Sequence, residues 1–254
     1  MSEFDSKIYE RDIYEDTVYS AWLKNSNERD VLEEVFRERL NWWSKDNMSI
    51  LDIGCGTGSA AQRLFKILNE QGFSFTYTGV DPYVDQLIRF RDAFQEQSNI
   101  QLVKSRVEDF EDSRKFDLIL FVHSLYYVDD FVQVIKKFRA MGDKLIIVHH
   151  GKLGINEVHQ QFRLHVKQGP HIISTWEDVK KALDHAKISY NLQIRDTEVN
   201  VSSCKDSENE EGRRLIKFFL EHSELPEETI KEVSDWFNGR PDMMKQDVGY
   251  FFID

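Results

Sequence analysis

Three glycines at alternate positions have the spacing in this chain that most clearly points to chemistry. Gly54, Gly56 and Gly58 follow an apolar run over residues 48–53, and a helix-like run begins at Ser59. Glycines between a strand and a helix let a ligand lie against the backbone N–H groups at the helix start. No lysine follows, so the loop does not match a phosphate-binding P-loop. The pattern predicts a nucleotide-like ligand, with a plain strand-to-helix turn as the alternative.

An acidic residue after the next apolar run strengthens this prediction. Asp81 ends the run 75–81, 23 residues beyond Gly58, close to where Rossmann-type folds place the acid that binds ribose hydroxyls. A charged carboxylate is a strong acceptor and can bind both hydroxyls of a ribose. The alternative is that Asp81 caps a helix starting near Tyr83.

Histidines and cysteines are the other residues that invite a chemical interpretation. The spacing of the histidines in the second half of the chain matches no familiar zinc pattern, and Cys55 and Cys204 are far away, so we predict no metal site. Cys55 is interpreted as a small buried side chain, because no neighbour in sequence would lower the pKa of its thiol. The histidines whose spacing was compared with zinc patterns are His149, His150, His159, His165 and His171.

Alternating strand-like and helix-like runs must position these residues. Strands are predicted over 75–81, 100–104, 116–123, 143–149, 189–201 and 247–253, and helices over 28–43, 59–70, 83–97, 131–140, 154–167, 174–186, 207–222 and 227–238. Asp206 or Ser207 is the expected cap of the helix 207–222, and the acidic run there is interpreted as its solvated first turn. The alternation predicts an α/β domain with a parallel sheet.

Composition limits the classes of function. The chain has 254 residues, 41% of them hydrophobic, and a formal charge of −12. That charge argues against a nucleic-acid or anionic-membrane partner. No apolar run approaches the ~20 residues of a membrane helix, and the N-terminus lacks the order of a signal peptide. With two cysteines we expect a cytoplasmic protein with a small-molecule partner.

The sequence resembles class I S-adenosylmethionine-dependent methyltransferases. Residues 51–58 are similar to the first motif of that family, residues 80–82 to the second, and residues 108–110 and 116–117 to the third and fourth. The resemblance implies a Rossmann-like α/β fold with a seven-stranded, mostly parallel sheet, and S-adenosyl-L-methionine as cofactor. Glu108 and Asp109 would then contact the adenine, with surface acids as the alternative. The implied cofactor-binding residues are Gly54, Cys55, Gly56, Gly58, Asp81, Pro82, Gln86, Glu108, Asp109 and Val122.

A narrower resemblance, over nearly the full length, is to histamine N-methyltransferases. It implies that Glu28 binds the substrate amine, that His123 reaches the substrate where the family has an amide, and that Gln246 replaces an asparagine. Ile155 and His159 stand where the family has tryptophans. The resemblance therefore implies the type of reaction more firmly than the identity of the substrate. The implied catalytic residues are Glu28, His123 and Gln246, and the implied substrate-binding residues add Tyr19, Tyr126, Tyr127, His159 and Phe219.

Other interpretations of these acceptor residues stay open. His123 could be a core histidine at a strand end, Glu28 a first-turn acid of a helix, and Tyr126 and Tyr127 packing residues. The resulting hypothesis is one methyltransferase domain over residues 1–254, a monomer, with residues 1–45 and 202–246 as a substrate lid. It methylates a nitrogen of a small amine or imidazole-containing molecule. The alternatives are an O- or C-methyltransferase and a non-catalytic S-adenosylmethionine-binding protein.

Overall fold

The computed structural model describes residues 16–128, 130–166 and 174–254. Residues 1–15 of the predicted lid lie outside the described residues, as do Asp129 and His171. The helices are α1 (Asp16–Asn25), α2 (Glu28–Glu38), α3 (Leu40–Trp43), α4 (Ser59–Glu70), α5 (Val84–Ala93), α6 (Phe131–Arg139), α7 (Ile155–Gln161), α8 (Trp176–His185), α9 (Glu210–Leu220) and α10 (Glu227–Asn238). The strands are β1 (Met48–Ile53), β2 (Phe75–Asp81), β3 (Ile100–Lys104), β4 (Phe116–Val122), β5 (Gly142–His150), β6 (Asn191–Asn200) and β7 (Met243–Ile253).

The described strands form one seven-stranded sheet in the order β3-β2-β1-β4-β5-β7-β6. The pairs β1–β2, β1–β4, β2–β3 and β4–β5 are all parallel. Parallel strands place their carboxyl ends at one edge of the sheet, and β1 lies where the strand order reverses, which is where doubly wound folds bind ligands. This topology confirms the predicted Rossmann-like fold.

The chain divides into two compact units, each with its own core. The glycine-loop unit comprises residues 29–149, 176–194 and 249–254, and the Glu28 unit comprises the described residues of 1–28, 150–175 and 195–248. Phe121, Ile135 and Phe251 are among the fully buried side chains that fill the first core. Trp22 and Phe219 belong to the second. The prediction of one domain over the whole chain stays a prediction.

Several boundaries differ from the sequence prediction. The predicted helix 28–43 is interrupted at Arg39, and the helices predicted to reach 97 and 167 end at Ala93 and Gln161. The last strand begins at Met243 rather than at residue 247. None of the described helices is long and apolar enough to cross a bilayer.

The predicted cap of α9 was wrong. Asn209 occupies the N-cap position, and its side chain accepts a hydrogen bond from the Gly212 N–H at 3.1 Å. Asp206 instead accepts from the Glu208 N–H, outside the helix. Residues 202–205 form a short 3₁₀ turn ahead of the helix, so the chain enters α9 later than the acidic run suggested.

Candidate functional site

The glycine loop follows β1 and packs against Ser124, two residues after the end of β4. Gly54 and Gly56 have φ values of +75° and +53°, a region that residues with a Cβ seldom adopt. A Cβ on Gly54 would lie 2.4 Å from the Ser124 Cβ, so a side chain there would push the two segments apart. A Cβ on Gly56 would meet no described atom within 4 Å. At Gly56 the loop therefore presents bare backbone to open space, as a ligand cradle requires.

Asp81 connects the loop to the start of α5. Its Oδ2 accepts a hydrogen bond from the Gly56 N–H at 3.0 Å, and its Oδ1 accepts from the Tyr83 N–H at 2.9 Å. The carboxylate therefore orders both the glycine loop and the turn before α5. A carboxylate oxygen accepts more than one hydrogen bond, so these contacts leave capacity for ribose hydroxyls. Burial raises the pKa of Asp81 to about 6, although both backbone donors lower it.

A second buried acid, Asp52, lies below the loop and was not among the predicted site residues. Its Oδ2 accepts a hydrogen bond from the Tyr77 hydroxyl at 2.6 Å, and its Oδ1 has no partner among the described residues. Burial raises the pKa of Asp52 to about 7, with the nearby Asp81 charge adding to the effect. The acid at this position was visible in the motif, but nothing in the local sequence indicated its hydrogen bond to Tyr77.

The other predicted cofactor residues have mixed surroundings. Gln86 is buried on α5, and its Oε1 has no hydrogen-bond partner among the described residues, so it could accept from a ligand. Val122 is buried at the end of β4, whereas Pro82 is exposed. Glu108 and Asp109 are exposed in a turn after β3, which leaves their predicted adenine contact a prediction.

The Cys55 side chain packs under the loop. It is buried, with its sulfur 2.9 Å from where a Cβ on Gly79 would lie. Burial raises the pKa of its thiol well above the usual value. Both observations agree with a small buried side chain rather than a nucleophile.

His123 follows β4 in an unusual backbone conformation. Its φ is +54°, in the left-handed region that histidine tolerates better than most residues. The Nδ1 atom lies 3.0 Å from the Tyr126 hydroxyl, and the Tyr126 ring packs 4.0 Å from that of His149, centroid to centroid. Tyr126 and Tyr127 are half-buried in a 3₁₀ turn. The histidine is thus held in a defined orientation at the carboxyl edge of the sheet in the glycine-loop unit.

Three other polar residues form a cluster in the Glu28 unit, which we call the Glu28 cluster: Glu28, His150 and Gln246. Glu28 Oε2 accepts from Gln246 Nε2 at 2.7 Å and lies 2.6 Å from His150 Nε2. Glu28 is only 2% exposed and His150 only 8%. Glu28 is also the first residue of α2, where the helix dipole favours a negative charge. The structure therefore combines the predicted acid with a helix start and two side-chain donors.

Gln246 is held from several sides, which fixes its amide toward Glu28. Its Oε1 accepts from the Ile155 N–H at 3.5 Å, and its Nε2 lies 3.4 Å from the Thr197 hydroxyl. Gly154, with φ at +72°, approaches so closely that a Cβ there would lie 2.7 Å from the Gln246 Cβ. The loop after β5 therefore orients the amide that donates to Glu28.

The remaining predicted acceptor residues pack inside the Glu28 unit. His159 is buried, and its Nε2 lies 2.7 Å from the Phe219 carbonyl oxygen near the end of α9. The Phe219 side chain is fully buried against Trp22 and Phe237. Tyr19 is half-buried and lies beside Phe218. These contacts give His159 and Phe219 a structural role, and their contact with substrate stays a prediction.

His150 is the residue of this site that sequence reasoning missed. It was considered only as a possible metal ligand, because no local pattern relates residues 28, 150 and 246. Its place as the last residue of β5 was the one available signal, since polar residues at strand carboxyl ends often belong to sites in this type of fold.

The glycine-loop unit fits an adenosine-containing sulfonium cofactor. The loop offers open backbone at Gly56, and Asp81 offers carboxylate oxygen atoms beside it. Asp52 and Gln86 each offer a buried oxygen atom without a hydrogen-bond partner among the described residues. The predicted ribose contact of Asp81 stays a prediction. An anionic phosphate would be repelled by these two acids, whereas a ligand bearing an ammonium group and a sulfonium would not.

Comparisons with known proteins agree with this geometry. A family model described as a methyltransferase domain matches residues 26–184. Histamine N-methyltransferase of Cavia porcellus is 24% identical over 229 residues, covering 80% of this chain and 78% of that protein. The YcgJ protein of Bacillus subtilis has a similar structure, with a TM-score of 0.63 and 13% identity over 88% of this chain and 97% of that one.

Coclaurine N-methyltransferase, bound to N-methylheliamine and SAH, is also similar, with a TM-score of 0.57 and 14% identity over 89% of this chain and 72% of that one. These findings agree with the predicted methyltransferase class, fold and S-adenosylmethionine cofactor. Because the family model covers more than half of the 254 residues, the chain belongs to the methyltransferase domain family.

Proposed function

We propose that the chain transfers the methyl group of S-adenosylmethionine to a nitrogen atom of a small amine or imidazole-containing molecule. The observation that carries this proposal is the Glu28 cluster, a buried carboxylate with side-chain donors at 2.6 and 2.7 Å. The similarity to the Cavia porcellus histamine N-methyltransferase over 80% of the chain supports the same choice of acceptor atom.

In methyl transfer the main task of the protein is to position the acceptor. Bound S-adenosylmethionine supplies a methyl group that its sulfonium already activates. Holding a nucleophile in line with the S–CH3 bond is worth an effective concentration of ~10⁵–10⁸ M. The attacking nitrogen must be uncharged and must lose a proton when it begins as N–H. His123, oriented by Tyr126 at 3.0 Å, is the residue that we assign to orient the nitrogen or accept that proton.

An acceptor screen with a labelled methyl donor tests the proposal directly. Histamine, histidine, other biogenic amines and phenols are offered to the purified protein at equal concentrations. Transfer to an amine or imidazole nitrogen is the expected result. Transfer to phenols alone would favour an O-methyltransferase, and cofactor binding without transfer to any acceptor would favour a binding protein.

The role of Glu28 has a matched test within the chain. Glu28→Gln removes the charge but keeps an oxygen acceptor, so we expect kcat/KM for an amine acceptor to fall by roughly tenfold or more, the effect of one charge-assisted contact. Cofactor affinity, measured by calorimetry, should stay unchanged. Glu228→Gln is the control, because Glu228 is also a first-turn helical acid but is exposed on α10. If both variants have the same kcat/KM, Glu28 does not bind the acceptor and acts only as an acid at the start of a helix.

A further inference from the structure

The side-chain amide of Gln246 makes its hydrogen bonds inside its own unit. Its Nε2 donates to Glu28 Oε2 at 2.7 Å and also lies 3.4 Å from the Thr197 hydroxyl oxygen. Its Oε1 accepts from the Ile155 N–H at 3.5 Å. An amide nitrogen carries two hydrogens, so both are directed at protein atoms. Gln246 is also 0% exposed, and its amide therefore does not face solvent.

The neighbours of Gln246 favour a single orientation of its amide. If the amide oxygen and nitrogen exchanged places, the oxygen would lie against the Glu28 carboxylate and the nitrogen against the Ile155 N–H. The first contact would join two acceptors and the second two donors, which is costly in a buried site. The 2.7 Å bond to Glu28 is in the charge-assisted range, whereas the other two contacts are long. Glu28 is therefore the main partner of this amide.

Thr197 supports the same orientation from the neighbouring strand. Strands β6 and β7 are adjacent in the sheet, and Thr197 is fully buried on β6. Its hydroxyl donates to the backbone carbonyl oxygen of Gln246 at 3.4 Å. A hydroxyl has one hydrogen, so toward Gln246 Nε2 the same oxygen acts as an acceptor. One amide hydrogen is thus directed at Thr197, and the other is directed at Glu28.

The length of the glutamine side chain decides whether the amide reaches Glu28. Asparagine is shorter by one carbon–carbon bond, about 1.5 Å. An asparagine amide held by the same strand would lie beyond hydrogen-bonding distance of Glu28 Oε2, which Gln246 reaches at 2.7 Å. Glutamine at residue 246 therefore makes a contact that the asparagine expected from the resemblance could not make.

We infer that Gln246 is a positioning residue: it acts on the acceptor through Glu28, does not touch the acceptor itself, and depends on Thr197 for its orientation. This inference rests on the proposed function, in which Glu28 contacts the acceptor. It differs from the role that the resemblance to histamine N-methyltransferases implies, in which residue 246 binds the substrate. The hydrogen bond to Glu28 fixes where the carboxylate points, and the carboxylate then places the acceptor.

A double-mutant cycle separates a direct contact from an indirect one. The probe is histamine, or the amine or imidazole with the fastest transfer in the acceptor screen. Gln246→Met removes the amide at nearly the same length, and we expect kcat/KM to fall by roughly tenfold, mainly through KM. In a Glu28→Ala background the same substitution should change kcat/KM by less than about twofold, because the two residues act as one unit. An equal loss in both backgrounds would mean that Gln246 touches the acceptor or has only a structural role, and would overturn the inference.

Thr197 gives a second test that leaves Glu28 and Gln246 unaltered. Thr197→Val keeps the shape of the side chain but removes the hydroxyl, and we expect the KM for the acceptor to rise by about fivefold. Thr197→Ser keeps the hydroxyl and should restore nearly the original KM. Cofactor affinity, measured by calorimetry, should be the same in both variants. An unchanged KM in Thr197→Val, or an equal rise in Thr197→Ser, would overturn the assigned role of Thr197.

Controls distinguish failure of the inference from failure of the proposed function. Gln101→Met should leave kcat/KM unchanged, because Gln101 is also a strand glutamine but is exposed on β3. If Glu28→Ala does not fold, as judged by lost cofactor binding, Glu28→Asp replaces it, since aspartate is about 1.5 Å too short to keep the contact. Additive losses with transfer intact would overturn the inference alone. Cofactor binding without transfer to any amine or imidazole would overturn the proposed function, and the inference with it.

Discussion

Two buried acids beneath the glycine loop, Asp52 and Asp81, have pKa values that burial raises toward neutral pH. Asp52 and Asp81 lie at the carboxyl ends of neighbouring parallel strands, Asp52 one residue before the end of β1. Burial raises their pKa values to about 7 and about 6. Each acid is nonetheless held by hydrogen bonds, Asp52 from the Tyr77 hydroxyl and Asp81 from two backbone N–H groups. The acids are therefore held in place and yet have pKa values near neutral pH, an arrangement typical of functional sites.

Cofactor affinity should depend on the charge of Asp81. The ionised carboxylate is the better acceptor for ribose hydroxyls. Because the pKa of Asp81 is raised to about 6, the affinity for S-adenosylmethionine should fall as pH drops below that value, approaching roughly tenfold per pH unit. Asp81→Asn should bind more than about tenfold more weakly at pH 7.5 and lose this dependence. Calorimetry from pH 5 to 8 measures both effects, and an unchanged affinity in the variant would contradict the ribose assignment.

Because of Asp52, the ligand-free protein should become more stable as the pH falls, the opposite of the effect of an ion-paired surface acid. The pKa of Asp52 is raised from 3.8 to about 7 in the folded state. Between these values the folded state holds a proton that the unfolded chain has lost, so stability increases as pH falls from 8 toward 4. The contribution reaches up to about 4 kcal/mol. Asp52→Asn should abolish this contribution to the pH dependence of the free energy of unfolding, measured by urea unfolding.

Tyr77→Phe provides the control for Asp52. The Tyr77 hydroxyl lowers the pKa of Asp52 by hydrogen bonding to the carboxylate. Without that donor, the pH range over which stability is lost should move upward rather than disappear. A stability profile that is identical in both variants would mean that Asp52 does not titrate as the structure indicates.

At the same residue scale, local motifs were predictable and remote partners were not. Glycine spacing and the acid at residue 81 lie within one strand–helix–strand segment, so their chemistry could be anticipated from residue types alone. Glu28, His150 and Gln246 meet although 122 and 218 positions separate the first from the other two. Such contacts arise only from the fold, and no periodicity in the sequence encodes them.

Among the elements, strands were predicted more accurately than helix ends. The apolar runs of β2 and β3 begin and end where the sequence indicates, because each is bounded by polar or turn residues. Helix α5 ends at Ala93, although Phe94 continues its apolar pattern by packing on Phe90. Apolar periodicity therefore runs past the hydrogen-bonded helix, and the sequence alone does not mark its last residue.

The start of α9 offers a test of how an element begins. Asn209 caps the helix by accepting from the Gly212 N–H at 3.1 Å. Asn209→Ala should lower the free energy of unfolding by about 1 kcal/mol, the usual cost of losing an N-cap. Ser207→Ala, at one of the positions first expected to cap the helix, should change it by less than about 0.5 kcal/mol. Urea unfolding of both variants decides the assignment. A larger loss of unfolding free energy in Ser207→Ala would show that Ser207, as the sequence predicted, caps the helix.

For the molecule as a whole, the predicted chemistry divides between the two units. The glycine loop, Asp81 and His123 belong to the glycine-loop unit, while Glu28 and Gln246 belong to the Glu28 unit. Each unit has a separate apolar core. Whether the two units unfold together or separately can be measured, so the prediction of one domain has a testable consequence. The boundaries of the units fall inside β6 and β7, so neither strand can unfold in one unit without disturbing its continuation in the other.

Unfolding in the presence of cofactor should therefore be cooperative across the whole chain. S-adenosylmethionine at about 100 times its dissociation constant stabilises the state that binds it by about 2.7 kcal/mol. Hydrogen exchange followed by mass spectrometry at increasing urea reports peptides of each unit separately. We expect peptides of 52–58 and of 210–220 to unfold at one midpoint, and the cofactor to raise both midpoints together. Asp81→Ala should abolish the shift in both. A shift confined to residues 52–58 would instead show that the glycine-loop unit folds and binds the cofactor as a domain of its own.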